Sequence, residues 1–292
     1  MNVIETRKLT KYYGTHRGIA DADLQVKEGW FFGFIGPNGS GKSTTIRTLL
    51  GLIQPTRGEA EIFGKSVLTH KQEILSKIGY LPSETQFYGN MRVRDLIRLS
   101  ANLRKTDCQE EAQILCERLE LDPNRKIREL SLGNRKKVGI VCALQHTPPL
   151  YILDEPTSGL DPLIQKEFYT ILQERNAKGA TIFLSSHILS EVAKYCTHAA
   201  VIRDGQILVC DSIDRMARTG TKMVRLKGAS QVPSLTGISK LKEEDGSLRF
   251  LYQGDVQVLL QSLASLPLKD LTITDPDPEE IFLNYYKEEE GA

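Results

Sequence analysis

No stretch of the chain approaches the roughly 18 uninterrupted apolar residues that a membrane-crossing helix needs. The first residues, Met1-Asn-Val-Ile-Glu-Thr-Arg-Lys8, put charges where a signal peptide has its apolar core. The chain is therefore expected neither to cross a membrane nor to enter the secretory route. Cysteine is sparse and odd in number: Cys108, Cys116, Cys142, Cys196 and Cys210 are scattered, with no CxxC spacing. A disulfide framework and a thiolate zinc site are both excluded, and the thiols read as reduced. The 5 histidines lack HExxH or other metal-ligand spacing, so a protein-held zinc site is not expected. Net charge is nearly absent as well. Lys and Arg total 38 against 37 Asp and Glu, and a balance of +1 gives no support to a general nucleic-acid or membrane-surface binder. There is no internal repeat and no low-complexity tract. What remains is 292 residues, 40% of them apolar, enough for one large domain or for a large and a small one.

Within that globular chain one stretch stands out. The apolar run Trp30 to Ile35 leads into Gly36, Pro37, Asn38, Gly39, Ser40, Gly41, Lys42 and Ser43, followed by the helix-like Thr44 to Leu50. This strand, glycine loop and helix fit the phosphate-binding pattern GxxxxGK(S/T). In it, glycines let successive backbone N–H groups turn onto phosphate oxygens at a helix N-terminus. Lys42 then brings a point charge to the β- and γ-phosphates, and Ser43 a hydroxyl for magnesium.

Ahead of the loop, Val3 and Ile4, then Leu24 and Val26, are split by the turn-like Tyr13-Gly14. With Glu59 to Phe63 they suggest a small antiparallel sheet, and Tyr13 offers a flat ring for stacking on adenine. Ile78 to Pro82 reads as a buried strand leading into a polar loop, Ser83 to Asn90. Arg94 to Leu103 and Glu110 to Leu121 then show helical periodicity with charge between. A further helix is expected to run from Arg135 through Val138, Val141 and Leu144 to about Gln145.

Leu150 to Leu153 is continuously apolar and ends in Asp154-Glu155, as a parallel strand delivering acids at its carboxyl end would. Thr181 to Leu184 repeats the design and ends in Ser185-Ser-His187. Alternating buried strands and helices make this an α/β fold. Ala199 to Ile202 and Ile207 to Val209 flank the hairpin signal Asp204-Gly205. A short helix over Ser212 to Arg218 precedes an expected domain boundary, so that 1–218 and 219–292 are read as separate domains. The second shows strands at Met223 to Leu226, Leu248 to Tyr252 and Leu268 to Ile273, and a helix over Val256 to Leu266. A last helix starts at Asp277 as N-cap with Pro278 and Glu280, and sets Ile281, Phe282, Tyr285 and Tyr286 on one face.

Phosphoryl transfer from ATP needs a phosphate cradle, a magnesium ion, an acid to place that ion and a group to orient water. Asp154 is positioned to hold magnesium, Glu155 to polarise the water as general base, and His187 to hydrogen-bond the γ-phosphate. These residues together resemble the nucleotide-binding subunit of an ATP-binding cassette (ABC) transporter. Gly36 to Ser43 matches its Walker A loop, and Leu150 to Asp154 with Glu155 its Walker B strand. Ser158-Gly-Leu-Asp161 matches the D-loop and Ser186-His187 the switch histidine. Leu130 to Asn134 resembles the signature LSGGQ and Tyr13 the adenine-stacking aromatic, all in family order over roughly 1–215.

The resemblance implies a P-loop NTPase core with an antiparallel β-subdomain, a helical subdomain over about 88–146 and a small α+β C-terminal domain. It implies ATP and Mg2+ as cofactors, bound in a head-to-tail dimer with a second copy or a paralogue. Ser131 and Gly133 of one subunit would meet the γ-phosphate held by the other. It implies a membrane permease as partner, no nucleic acid, and a cytoplasmic location on the inner face of the membrane. Two departures stand out. Ser83 and Glu84 follow the IGYLP strand where the family has glutamine, with Gln86 further on. Leu132 and Asn134 replace a glycine and a glutamine of the signature. The C-terminal Glu279 to Tyr286 is similar to the tail of ATPases serving drug, antibiotic and lantibiotic exporters. An ABC importer ATPase, a soluble ABC ATPase on ribosomes or DNA, and a P-loop kinase are the competing readings.

Overall fold

β1 (Asn2–Tyr13) and β2 (His16–Lys27) are antiparallel, paired to Tyr13 and His16 around a turn in which Gly14 takes φ 59°. In β2 the buried residues Ala22, Leu24 and Val26 alternate with exposed Asp23 and Gln25, the period of a strand with one face on a core. β3 (Phe31–Ile35) is buried throughout and opens into the glycine loop and α1 (Lys42–Leu49). β4 (Arg57–Ile62) and β5 (Lys65–Ser66) complete an antiparallel sheet of order β2-β1-β4-β5. A short α2 (Lys71–Ser76) precedes β6 (Ile78–Leu81), and the helical insert follows as α3 (Val93–Arg104) and α4 (Gln109–Arg118).

The next helix, α5 (Leu132–Leu144), starts three residues before the expected Arg135. The cause is a cap: Ser131 Oγ accepts a hydrogen bond from the Asn134 N–H at 3.2 Å, satisfying a donor of the first turn. β7 (Leu150–Asp154), α6 (Pro162–Ala177), β8 (Thr181–Ser186), α7 (Leu189–Tyr195), β9 (His198–Arg203) and β10 (Gln206–Ser212) finish the larger unit's strands and helices. α6 is started by Asp161, whose carboxylate accepts from the Ile164 N–H at 3.0 Å, with Pro162 just inside the helix.

The second sheet has the order β10-β9-β3-β8-β7-β6, with β9, β3, β8, β7 and β6 parallel. All its parallel strands therefore end on one side. β3, β7 and β8 deliver the glycine loop, Asp154 and Ser185-Ser186 to that edge, where α/β sheets bind ligands. One face of this sheet (Phe32, Phe34, Ile152, Phe183, Ile202) shares a core with α1 (Ile46, Leu49) and the antiparallel sheet (Ile4, Leu24, Ile62). Each such side chain contributes about 1.5–3 kcal/mol by burial, which anchors the glycine loop from behind.

The structure, a computed structural model, describes residues 1–217, 221–229, 231–244, 246–264 and 266–274. Its contacts divide the chain into two units, Met1–Cys210 and Asp211–Ala292. In the second, after α8 (Ile213–Ala217), β11 (Thr221–Lys227), β12 (Ile238–Glu244), β13 (Ser247–Gln253) and β14 (Asp270–Thr274) form an antiparallel sheet of order β12-β13-β11-β14. It is covered by α9 (Val256–Leu263), whose Leu259 and Leu263 share a core with Val224, Leu226 and Phe250 of the sheet. α9 stops short of the expected Leu266, because Pro267 has no N–H to give the Leu263 carbonyl, which instead accepts from the Leu266 N–H at 3.0 Å. β12 was not expected, since lysine and glutamate fill alternate positions of an edge strand. The helix expected from Asp277 to Tyr286 lies outside the described residues.

Candidate nucleotide site

α1 is preceded by Gly41 as its N-cap, whose φ of 108° suits glycine, and a methyl group there would lie 2.5 Å from the Gly18 carbonyl oxygen. The helix has no side-chain cap and no acid in its first turn. Its leading N–H groups and positive dipole end are left for an anion. Lys42 is buried at 4% exposure and folds back over the loop, donating from Nζ to the carbonyls of Gly36 (2.7 Å) and Pro37 (3.1 Å). The same ammonium lies 3.4 Å from Glu155 Oε1, and Glu155 Oε2 lies 3.4 Å from His187 Nδ1. Lys42, Glu155 and His187 are thus in one chain of contacts, from three different elements.

Asp154 is 1% exposed at the end of β7, and its Oδ1 accepts a hydrogen bond from Ser185 Oγ at 2.6 Å. Ser185 Oγ also accepts from the Glu155 N–H at 3.1 Å, so one hydroxyl from β8 orients both acids. Glu155 itself has φ 47°, in the left-handed region, a conformation costing on the order of 1–2 kcal/mol for a residue with a side chain. It is the bend that turns Glu155 from the strand direction toward the loop. Next to it, Glu191 Oε2 accepts from Tyr169 Oη (2.9 Å), Thr157 Oγ1 (3.2 Å) and Ser186 Oγ (3.2 Å). This carboxylate pins the segment after Glu155 to the strand end that carries His187. Burial, then Glu191 itself, pushes the Tyr169 phenol up and keeps it a donor.

Tyr13 is 46% exposed. Its Cε2 and the Thr44 Cγ2 lie equally, at 3.0 Å, from where a methyl group on Gly18 would stand, which places the ring beside the start of α1. Pro37, Asn38 and Gly39 are exposed at the loop's crest, while Ser43 and Thr44 are half-buried. Ser40 is buried with no partner for its Oγ. A nucleotide's phosphates fit this cradle. For magnesium, the Ser43 hydroxyl and the Asp154 carboxylate are the hard oxygen donors that ion prefers. Among the described residues no group of three or more His, Cys, Asp and Glu gathers to hold a metal. An ion at Ser43 and Asp154 would therefore take its other ligands from phosphate and water.

Ser131 and Gly133 are not part of this cluster. They stand at the start of α5 with Leu132 67% exposed, and a methyl group on Gly133 would lie 2.5 Å from the Gly159 carbonyl oxygen. The glycine lets the signature segment pack on the loop 158–161. The polar loop after Pro82 is held from α5: buried Lys136 donates from Nζ to the carbonyls of Pro82 (3.1 Å) and Ser83 (2.8 Å). Burial pulls the Lys136 ammonium down to about 8, against the fields of Asp154 and Glu155, which raise it. Ser185, Glu191 and Lys136 were not singled out from the sequence. Ser185 had a signal there, as a hydroxyl ending an apolar strand; a glutamate and a lysine within helices have none.

The ABC transporter family profile matches residues 19–158. The bacitracin transport ATP-binding protein BcrA of Bacillus licheniformis is 38% identical over 237 residues, 78% of this chain and 76% of that protein. The Nod factor export ATP-binding protein I of Cupriavidus pinatubonensis is 31% identical, over 89% of this chain and 83% of its own. Among solved structures, a dimeric post-hydrolysis ATP-binding cassette bound to ADP and Pi superposes with a TM-score of 0.66 at 25% identity, covering 72% of this chain and 98% of that one.

Proposed function

This chain belongs to the ABC transporter ATP-binding family, and we propose from that premise that it powers export by a separate membrane permease. ATP hydrolysis is the activity of the family. Export of drugs, antibiotics or peptides is the reading supported by relatives named for bacitracin transport and Nod factor export.

The observation that carries the assignment of roles is the contact chain Lys42–Glu155–His187 beside an uncapped helix start. Gly36 to Thr44 bind the phosphates and Tyr13 stacks on adenine. Lys42 exchanges its contacts with the Gly36 and Pro37 carbonyls for phosphate oxygens. That exchange frees Glu155 to take a proton from the attacking water, while His187 hydrogen-bonds the γ-phosphate. A magnesium ion held by Ser43 and by Asp154 would supply charge neutralisation on the phosphates. Ser131 and Gly133 of a second subunit, the same chain or a paralogue, close the site, and hydrolysis reopens it.

Residues 1–218 form the ATP-binding domain, with the helical subdomain over about 88–146, and 219–292 an accessory domain. A groove of about 510 Å³ lined by Leu50, Leu52, Leu75, Tyr80, Leu103 and Arg104 supports docking of the permease where the helical insert meets β6. Leu52 and Leu103 stand exposed there. No helix among the described residues is long and apolar enough to cross a membrane, consistent with a peripheral subunit on the inner membrane face.

The test is co-purification of Glu155→Gln with ATP and magnesium from detergent-solubilised membranes, then reconstitution of the wild type with whatever co-purifies. A stoichiometric polytopic protein that raises the ATPase rate in vesicles is the expected result. Recovery of ribosomal or DNA-associated proteins alone would transfer the ATPase to a soluble role.

A further inference from the structure

Lys136 is 3% exposed in the second turn of α5. Lysines are seldom buried so deeply unless paired, yet among the described residues no carboxylate lies within ion-pair distance of it. Its ammonium is spent on backbone: the carbonyls of Pro82 and Ser83, at 3.1 and 2.8 Å. Those are the residues at which β6 gives way to the polar loop. The loop also lies against α5 at Gly139, where a methyl group would come within 2.8 Å of Leu81 Cδ1 and of Thr85 Cγ2. Lys136 and Gly139 are three apart and so share one helix face. The same helix begins at Ser131 and Gly133, while the charges felt at Lys136 are those of Asp154 and Glu155.

We propose that Lys136 is a positioning residue of the ATPase: its ammonium ties the loop after β6 to the helix carrying Ser131 and Gly133, beside the strand end that carries Asp154 and Glu155. Position 83 is a serine, and its carbonyl, with that of Pro82, is held from the helix side. The tie is a charge-assisted pair of hydrogen bonds to carbonyls, and movement of α5 or of the loop is passed to the other. With burial drawing it down to about 8, the group remains an ammonium at neutral pH. This inference rests on reading Asp154 and Glu155 as the hydrolytic acids.

The test compares wild type with Lys136→Met, which keeps the stem without the charge, and Lys136→Arg, which restores it. Hydrogen exchange of the loop 83–90 is read on the full, nucleotide-free chain, and steady-state ATPase kinetics are read separately. In Lys136→Met, exchange in the loop should rise about tenfold or more, as for loss of charged hydrogen bonds. kcat should fall about tenfold with KM for ATP within about twofold, the pattern of a lost transition-state contribution. Lys136→Arg should recover loop protection and most of kcat. Unchanged loop exchange in Lys136→Met would overturn the tie. Raised exchange with unchanged kcat would reduce Lys136 to a structural clasp and overturn the positioning role. A wild type without ATPase activity would instead strike the hydrolytic reading, because loop exchange is measured without turnover.

Discussion

Ser185 does the most with the fewest atoms. Its single oxygen donates to Asp154 Oδ1 and accepts from the Glu155 N–H, and the residue is fully buried. Ser185→Ala would leave the buried Asp154 Oδ1 without its donor, at about 1–3 kcal/mol for the unsatisfied group, while the Glu155 N–H would keep only its 3.3 Å bond to the Ser185 carbonyl. Urea unfolding should show that loss, and the ATPase rate should fall with it because both acids lose their orientation. Glu155→Gln separates chemistry from binding. The amide cannot take a proton, so kcat should drop by about 10²–10⁴, while calorimetry should find ATP affinity within a few-fold of wild type. Turnover near the wild-type rate would remove Glu155 from the role of base.

The elements meet at junctions made of single polar contacts. Where the helical insert joins the parallel sheet, Arg104 Nε of α3 donates to His146 Nε2 at 3.1 Å, just after α5, and the Ile78 carbonyl of β6 is 3.2 Å from the same nitrogen. Burial first, then the Arg104 charge, pulls His146 down from 6.5 to about 4. Between those values the unfolded chain holds a proton that the folded one does not. Stability from this site is therefore fully present above pH ~6.5 and is lost as pH falls toward 4, with an upper bound of about 3 kcal/mol. His146→Gln should flatten that part of the acid-unfolding curve followed by circular dichroism. An unaltered pH dependence would place the acid sensitivity in another group. The junction at Glu191 differs in kind, since one carboxylate oxygen joins α6, the segment after Glu155, and the end of β8.

For the whole molecule the event to test is the proposed association with a second subunit. Leu132, 67% exposed at the start of α5, is an apolar side chain left at the face expected to meet a second subunit's nucleotide. With ATP and magnesium, Glu155→Gln should double its mass in light scattering as the closed dimer accumulates. Adding Leu132→Arg should abolish the doubling while ATP still binds, and Leu132→Gly should preserve it. A dimer indifferent to Leu132→Arg would move the interface off the signature segment.

The sequence by itself determined the glycine loop between β3 and α1, the Asp154-Glu155 strand end and the position of His187, because each is a local pattern: glycines that permit one backbone path, or a polar residue at the end of an apolar run. It also determined the α/β class, through the alternation of buried strands with periodic helices. The start of α5 at Leu132 escaped, since a serine cap is legible only once its hydroxyl is seen to accept from Asn134. Tertiary structure alone decided what holds these parts in register. Ser185 on Asp154, Glu191 across three elements and Lys136 on the loop after β6 all join residues far apart in the chain. Such contacts obey no spacing rule, because the geometry that makes them is fixed by strand order and helix packing, not by the neighbours of each residue in sequence.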